Sequence, residues 1–264
     1  MTNKLKDKQF ATTLARGVEL LQCFGSGDGS MGNGDLVALT GIDKATVARL
    51  TFTLTRLGYL HHDRKRRKYR LGPATLTLSY SLLASMTVRQ LARPFMRQLA
   101  LEVGGMVGIG IRQGADMLYV DAMRGIDGPP PVIDRGMAIP LLTSAMGNAW
   151  LASATPTERA EAVNVLRVKY PSTYATDGHR IESALREFRS RGYCSSEGHL
   201  RKSRLSVAVP LHRISVGAEI VVFNCAVLSD VDSKEQRVQL HRSLGEKLLE
   251  MLGAIERAAG ISRL

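Results

Sequence analysis

The amino-acid sequence predicts an α+β fold whose front third is a helix-turn-helix followed by a basic hairpin. Three observations carry that expectation. Thr40-Gly41-Ile42-Asp43 is a tight connection between two helical stretches. RKRRKYR at 64–70 packs six cations into seven residues, flanked by two short strand-like runs. Behind Gly104-Gly105 the pattern changes to short β-rich runs, after which strands and helices mix.

The elements follow in order. Thr12 to Phe24 carries Leu14, Val18, Leu20 and Leu21 at helical spacing and ends in the glycine-rich GSGDGSMGNG. Asp35 to Thr40 is a short helix with Gly41 placed as its C′ residue. Asp43 is the N-cap of a third helix, from Lys44 to about Leu57, which Gly58 closes. Tyr59–His62 and Lys68–Leu71 form the hairpin, with DRKRR at its tip. A helix-turn-helix with such a hairpin is a winged helix. Pro73 to Ser85 reads as a connecting helix with Pro in its first turn. Thr87 to Glu102 is another helix, broken or bent near Pro94. MVGIGIRQG and DMLYVDAMRG are short β-rich runs joined by a Gly-containing turn, and GIDGPPP is a loop. Residues 144–153, 156–169 and 177–191 are expected as helices, 204–212 and 218–228 as strands, and a helix of about twenty residues closes the chain from 232.

Composition narrows the function. Formal net charge is +12, a balance that favours polyanionic partners. Through Ser85 the chain has thirteen Lys/Arg and six Asp/Glu, a net of +7, so residues 86–264 hold +5 over twice the length. No run approaches the roughly 18 apolar residues of a membrane span, and the basic N-terminus lacks the apolar stretch of a secretory signal. The expectation is a cytoplasmic protein without a membrane partner. Cys23, Cys194 and Cys225 are far apart and form no C-x-x-C, which argues against a disulfide framework or a structural zinc.

On a helical wheel Val47, Leu50, Leu54 and Leu57 fall on the packing side of the third helix. Ala45, Ala48, Arg49, Phe52 and Arg56 point away. Small residues early in the helix allow close approach to another surface, flanked by Lys44 and Arg49. A major groove admits such a helix by its N-terminal half, and Thr46 at the border reaches a base or a phosphate. The hairpin cations Arg64, Lys65, Arg66, Arg67, Lys68 and Arg70 have only Asp63 nearby in sequence. They suit phosphates, giving affinity with little sequence information. Phe52 has three readings that sequence leaves open: contact with thymine methyls, packing in a dimer, or burial under the wing.

No catalytic constellation emerges. TSAMG around Ser144 lacks the G-x-S-x-G arrangement. There is no H-E-x-x-H or Walker loop, and no well-placed G-x-G-x-x-G. Asp177, His179 and Ser183 are neighbours at what reads as a surface helix start. His61 and His62 are adjacent on a strand, so they face opposite sides and share no metal. The reading is therefore a non-enzyme without cofactor or metal. An enzyme fused to a DNA-binding domain and an architectural DNA-binding protein without a ligand are the alternatives.

The chain also resembles the isocitrate-lyase-regulator (IclR) family of bacterial transcription factors. The resemblance rests on LARGVELLQCF at 14–24, GIDKATVARLTFTLTRLGYL at 41–60, KYRLGPATLTL at 68–78, LARPFMRQLALEVG at 91–104 and MLYVDAMRG at 117–125. It continues through IPLLTSAMGNAWLA at 139–152, SRGYCSSEG at 190–198 and LSVAVPL at 205–211. LSVAVPL and VFNCAV look nearest to the subgroup that controls aromatic-acid catabolism. The resemblance implies a winged-helix DNA-binding domain over 1–72, a linker helix over 73–86 and a GAF-like effector-binding domain over 87–264. It implies operator DNA as partner, a small organic effector such as a carboxylate or aromatic acid, and homodimers or homotetramers.

Position by position it places the effector against Leu142, Thr143, Ser144, Ala145, Met146 and Gly147, with Ser196, Glu197, Ser206, Asn224 and Ala226 on the strands. Backbone N–H groups at a helix start suit an anion; ordinary helix capping is the competing explanation for Thr143 and Ser144. Three departures from the family pattern stand out. Ser195, Ser196 and Glu197 leave one acid where a pair is common. Ala138 replaces a frequent arginine, for which Arg124, Arg201 and Arg204 are the candidate substitutes. Lys202-Ser203-Arg204-Leu205 replaces a Gly-x-Arg/Leu-Cys stretch.

Overall fold

The structure, a computed structural model, describes residues 9–25, 29–125, 134–197, 204–211, 220–229, 231 and 233–260. Of the sequence expectations, Arg201 and parts of the GSGDGSMGNG and GIDGPPP loops lie outside the described residues. The chain divides into two compact units, Met1–Ala84 and Ser85–Leu264.

In the first unit, α1 (Thr12–Gln22), α2 (Asn33–Thr40) and α3 (Lys44–Arg56) precede β1 (Leu60–Asp63) and β2 (Lys68–Leu71). Gly41 ends α2 at φ 67°, the left-handed conformation that favours glycine. Asp43 caps α3, its Oδ1 accepting from Thr46 N at 2.9 Å. That bond holds the carboxyl below its usual pKa. The core is Leu20, Phe24, Leu36, Ile42, Val47, Leu50 and Leu60. Two expectations fail at its edge. Leu57 is 61 % exposed, because α3 stops at Arg56 and the next residue leaves the packing face; Thr51 is buried instead. Leu14 and Val18 of α1 are exposed, since Gly17 and Leu20 make the contacts. The unit closes with α4 (Ala74–Ser85), which buries none of its residues.

In the second unit, β3 (Met106–Gln113), β4 (Asp116–Arg124), β5 (Ala138–Pro140), β6 (Cys194–Glu197), β7 (Arg204–Leu211) and β8 (Val221–Leu228) form one sheet. Its order is β5-β4-β3-β8-β7-β6, and every neighbouring pair is antiparallel. α5 (Thr87–Val103) packs on β3 and β4, and α10 (Lys234–Ala258) on β7 and β8. α6 (Ala145–Ser153) packs on β6, β7 and β8 and against α9 (Arg180–Arg191). α7 (Pro156–Lys169) and α8 (Pro171–Asp177) lie between them in sequence. α5 is not broken at Pro94 but runs through it as one helix. Val88, Ala92, Met96, Leu99 and Ala100 are buried along one stripe. Each fully buried large side chain is worth about 1.5–3 kcal/mol, which outweighs the one hydrogen bond proline removes.

One irregularity decides where side chains point. Asp121 pairs with Ile109 and Tyr119 with Gly110, so Val120 is left over as a bulge. In a regular strand residues i and i+2 share a face. The extra residue breaks that parity: Tyr119 turns toward α6, while Asp121 turns toward α5, where Arg89 lies at 3.0 Å.

Candidate DNA interface and effector cavity

The first candidate surface is on the Met1–Ala84 unit. The side of α3 opposite Val47, Leu50 and Thr51 exposes Lys44, Ala45, Ala48, Arg49, Phe52 and Arg56, with Thr46 half-buried at its border. The wing turn is built by Asp63, whose Oδ1 accepts from Lys65 N at 3.0 Å and Arg66 N at 3.1 Å. These bonds, Arg66 first, lower the Asp63 pKa. Arg67 takes φ 53°, a left-handed conformation costing a non-glycine residue about 1–2 kcal/mol. Arg64, Lys65, Arg66 and Arg67 are exposed and Lys68 half-buried. Among the described residues none of the α3 or wing cations forms an ion pair.

The wing has one more strand-like contact than the sequence suggested. Met31 bridges Tyr69, donating from its N–H at 2.9 Å and accepting from Tyr69 N at 2.7 Å. His62 stacks on Tyr69 across the hairpin at 4.4 Å. The hairpin is thus tied to the loop before α2, and its tip is held in register.

The second candidate surface is a cavity between α6 and the sheet. It is lined by Tyr119, Ile139, Pro140, Ser144, Ala145, Met146, Ser196, Arg204, Ser206, Asn224 and Ala226. Alternation explains the strand contributions: 204 and 206 on β7, 224 and 226 on β8. Register puts Ser196, Ser206 and Ala226 in one cross-strand row. Two glycines of β3 make room. A Cβ on Gly108 would lie 2.5 Å from Tyr119 Cε1, and one on Gly110 2.5 Å from Met146 Sδ. The free volume is ≈ 30 Å³. That holds about one water, far below the roughly 300 Å³ at which ligand pockets begin. The cavity is narrow, and Met146 fills the space over Gly110.

Its polar groups are hydroxyls, a backbone N–H, one side-chain amide and one guanidinium. Ser144 caps α6, accepting from Gly147 N at 3.1 Å and donating to the Pro140 carbonyl at 2.6 Å. Ala145 N donates to Ser196 Oγ at 3.0 Å. Two N–H groups of the helix start are therefore already engaged, which favours the capping explanation for Ser144. Asn224 is 2 % exposed; its Nδ2 donates to Ser206 Oγ at 3.5 Å, and its Oδ1 has no hydrogen-bond partner among the described residues. Burial pushes the Tyr119 hydroxyl pKa up, partly opposed by Asn224 and Arg204, so it stays protonated. Arg204 is the one cation in the lining.

Of the residues expected at an effector, Ser144, Ala145, Met146, Ser196, Ser206, Asn224 and Ala226 come together in the cavity. Leu142, Thr143 and Gly147 are buried beside it without lining it. Gly147 has a steric task, because a Cβ there would collide with the Leu141 backbone carbonyl. Glu197 does not line the cavity. It follows Ser196 on a strand and so faces the other side, 3.5 Å from Arg237 and 3.7 Å from His241 of α10. Tyr119, Ile139 and Pro140 were missed. Arg124 is exposed at the end of β4.

His241 carries a pH prediction. It is 5 % exposed, and burial holds its pKa below the usual value near 6.5, with Glu197 and Glu187 opposing. The unfolded chain then binds the proton more readily than the folded one. Stability from this group is complete above pH 6.5 and is lost as pH falls through the depressed folded pKa. Urea unfolding between pH 7.5 and 5 should show that loss, and His241→Gln should flatten it. Identical pH profiles for the two proteins would refute the assignment.

A winged helix-turn-helix unit joined to an α+β unit with a cavity of mixed polar and apolar lining defines a class of DNA-binding transcriptional regulators. The comparisons give the family. The model for the IclR helix-turn-helix domain matches residues 13–64, and that for the bacterial transcriptional regulator IclR C-terminal matches residues 80–246. The chain belongs to the IclR family of bacterial transcriptional regulators. It is 34 % identical to the HTH-type transcriptional regulator TsaQ1/TsaQ2 of Comamonas testosteroni, over 75 % of this chain and 71 % of that protein. The crystal structure of an IclR family transcriptional regulator from Brucella abortus is 34 % identical, with TM-score 0.80, covering 97 % of this chain and 95 % of that one. An IclR homologue from Microbacterium hydrocarbonoxydans complexed with 4-hydroxybenzoate shares the fold at 20 % identity and TM-score 0.67, covering 92 % and 99 %. Among the described residues no helix is long and apolar enough to cross a membrane.

Proposed function

We propose that this regulator binds operator DNA through α3 and the wing, and that a small organic acid entering the α6 cavity adjusts that binding. Lys44, Ala45, Thr46 and Arg49 are assigned to the groove, and Arg64, Lys65, Arg66, Arg67 and Lys68 to phosphates. Residues 1–72 act as the DNA-binding domain, 73–86 as the linker and 87–264 as the effector domain. Exposed Leu76, Leu78 and Tyr80 on α4 suit pairing with a second chain, which places two winged helices on one operator.

The observation that carries the effector assignment is a buried Asn224 Oδ1 without a hydrogen-bond partner among the described residues, in a narrow cavity that Arg204 also lines. An unpaired buried acceptor costs about 1–3 kcal/mol, which a ligand hydroxyl donor recovers. Arg204 takes the carboxylate. A hydroxybenzoate has both groups, and 4-hydroxybenzoate, bound by a protein of the same fold, is the first probe. Entry requires Met146 to swing off Gly110, so the ligand and the Met146-filled cavity select different arrangements. A ligand shifts DNA affinity only by its differential affinity for the two.

Calorimetric titration of the full chain tests this. 4-Hydroxybenzoate should bind, its methyl ester should bind at least tenfold more weakly, and Arg204→Met should remove the difference between them, since a charged hydrogen bond is worth about 1.5–3 kcal/mol. Equal binding of acid and ester by the unaltered protein would exclude Arg204 as the anchor. No heat and no change in DNA affinity across a series of hydroxylated aromatic acids would favour the ligand-independent architectural reading.

A further inference from the structure

We propose that Phe52 is a specificity-determining residue that reads thymine in the major groove through its C5-methyl group. The inference rests on the reading of α3 as the groove helix and adds the base that it selects. Three observations carry it.

First, Phe52 is 66 % exposed, and it is absent from the buried cluster and from the side chains packed against it. Of the three readings that sequence left open, burial under the wing is thereby removed. Second, its position on α3 is the middle of the outward face. Ala45 and Ala48 precede it by seven and four residues, so they share its side of the helix two turns and one turn earlier. Both are exposed and carry only a methyl, which lets the helix axis come close. A phenyl ring beyond two alanines stands out past their methyl groups. Third, the ring sits between exposed Arg49, three residues before it, and Arg56, four after it. Neither arginine forms an ion pair among the described residues.

This charge pattern selects the occupant. A second protein surface that covered the phenyl would also strip water from two arginines, and it would need to supply acids to both. A major groove supplies the complement without further design, with phosphates along both walls and base edges on the floor. Among the four bases thymine alone presents an apolar group there. Burying the ring against that methyl recovers the cost of exposing a phenyl on an otherwise polar face. Because the contact involves no hydrogen bond, it distinguishes thymine from uracil, which differs by the methyl only.

The test uses that difference. The full-length chain selects its preferred duplex from a randomised pool. Each thymine of that duplex is then replaced singly by deoxyuridine, and affinities are measured for the unaltered protein, Phe52→Ala and Phe52→Leu. The expected result is at least one thymine per half-site at which deoxyuridine costs the unaltered protein roughly fivefold to tenfold, at the low end of a mismatched base pair. Phe52→Ala abolishes that penalty, and Phe52→Leu keeps part of it. Two results overturn the proposal: no methyl-sensitive thymine, or the same penalty in all three proteins. A change in sedimentation of Phe52→Ala without DNA, with the penalty intact, assigns the ring to a chain–chain contact and also overturns it. Arg49→Ala, measured alongside, separates this outcome from failure of the underlying reading. If Arg49→Ala weakens the selected site while Phe52 variants do not, only the methyl contact fails. If neither matters, α3 is not the groove helix.

Discussion

Replacing Asp121 by alanine is expected to cost the Ser85–Leu264 unit about 3–5 kcal/mol, the range for removing one partner of a buried ion pair. Asp121 is fully buried, with Arg89 Nε at 3.0 Å, Arg135 Nε at 3.1 Å and Arg93 Nη1 at 3.3 Å. The arginines differ in their exposure. Arg93 and Arg135 are 43 % and 49 % exposed, so water screens much of their share. Arg89 is 11 % exposed, and it would be left as a nearly buried cation without its carboxylate. The cluster also ties three pieces of chain together: α5 through Arg89 and Arg93, β4 through Asp121, and the residues before β5 through Arg135. Gly136 N donates to the Tyr119 carbonyl at 2.8 Å, so the same stretch positions a cavity residue. Asp121→Asn keeps the shape and loses the charge; an intermediate loss is expected. Urea unfolding followed by far-ultraviolet circular dichroism measures both variants, and a loss under 1 kcal/mol for Asp121→Ala would show that the arginines find water or other partners instead.

Asp121 also marks the limit of what the sequence shows. Strand alternation is legible from a sequence; a bulge is not. With no bulge, Tyr119 and Asp121 would share a face, and either the cavity would lose its buried hydroxyl or α5 its anchor. Val120 looks like any strand valine until the pairing with Ile109 and Gly110 is known. The short edge strands escaped for a related reason. Ala138–Pro140 and Cys194–Glu197 have three and four residues, too few for a period, and only pairing defines them. α8, a helix of seven residues directly after Tyr170, is hidden likewise. That Glu197 turns away from the cavity is not legible, because a resemblance transfers positions but not the side of the sheet they face. What was legible had local chemistry to signal it. Gly41 and Asp43 fix the turn between α2 and α3 through one left-handed residue and one cap, and both work within four residues of chain. The basic hairpin was legible because charge density needs no register.

The DNA-facing surface should divide its labour, and the division has a large, separable signature. Arg49→Ala removes a side chain assigned to base edges and is expected to cost about 1–3 kcal/mol at the selected duplex, with a much smaller loss on random-sequence DNA. The wing behaves differently. Arg66 and Arg67 are exposed, lie at a turn pinned by Asp63, and are assigned to phosphates. Each phosphate contact contributes about 0.9 to the slope of log affinity against log salt. Removing both should weaken selected and random duplexes alike, and should flatten the slope by roughly 2 per bound chain. The choice of substitution matters, because Arg67 holds φ 53°. Asparagine tolerates that conformation, so Arg66→Gln with Arg67→Asn neutralises the tip without adding strain to the hairpin. Fluorescence anisotropy at several salt concentrations reads both quantities. If Arg49→Ala and the wing variant lower affinity for both DNAs by the same factor, α3 and the wing form one undifferentiated electrostatic surface. Sequence selection would then have to come from the shape of the DNA.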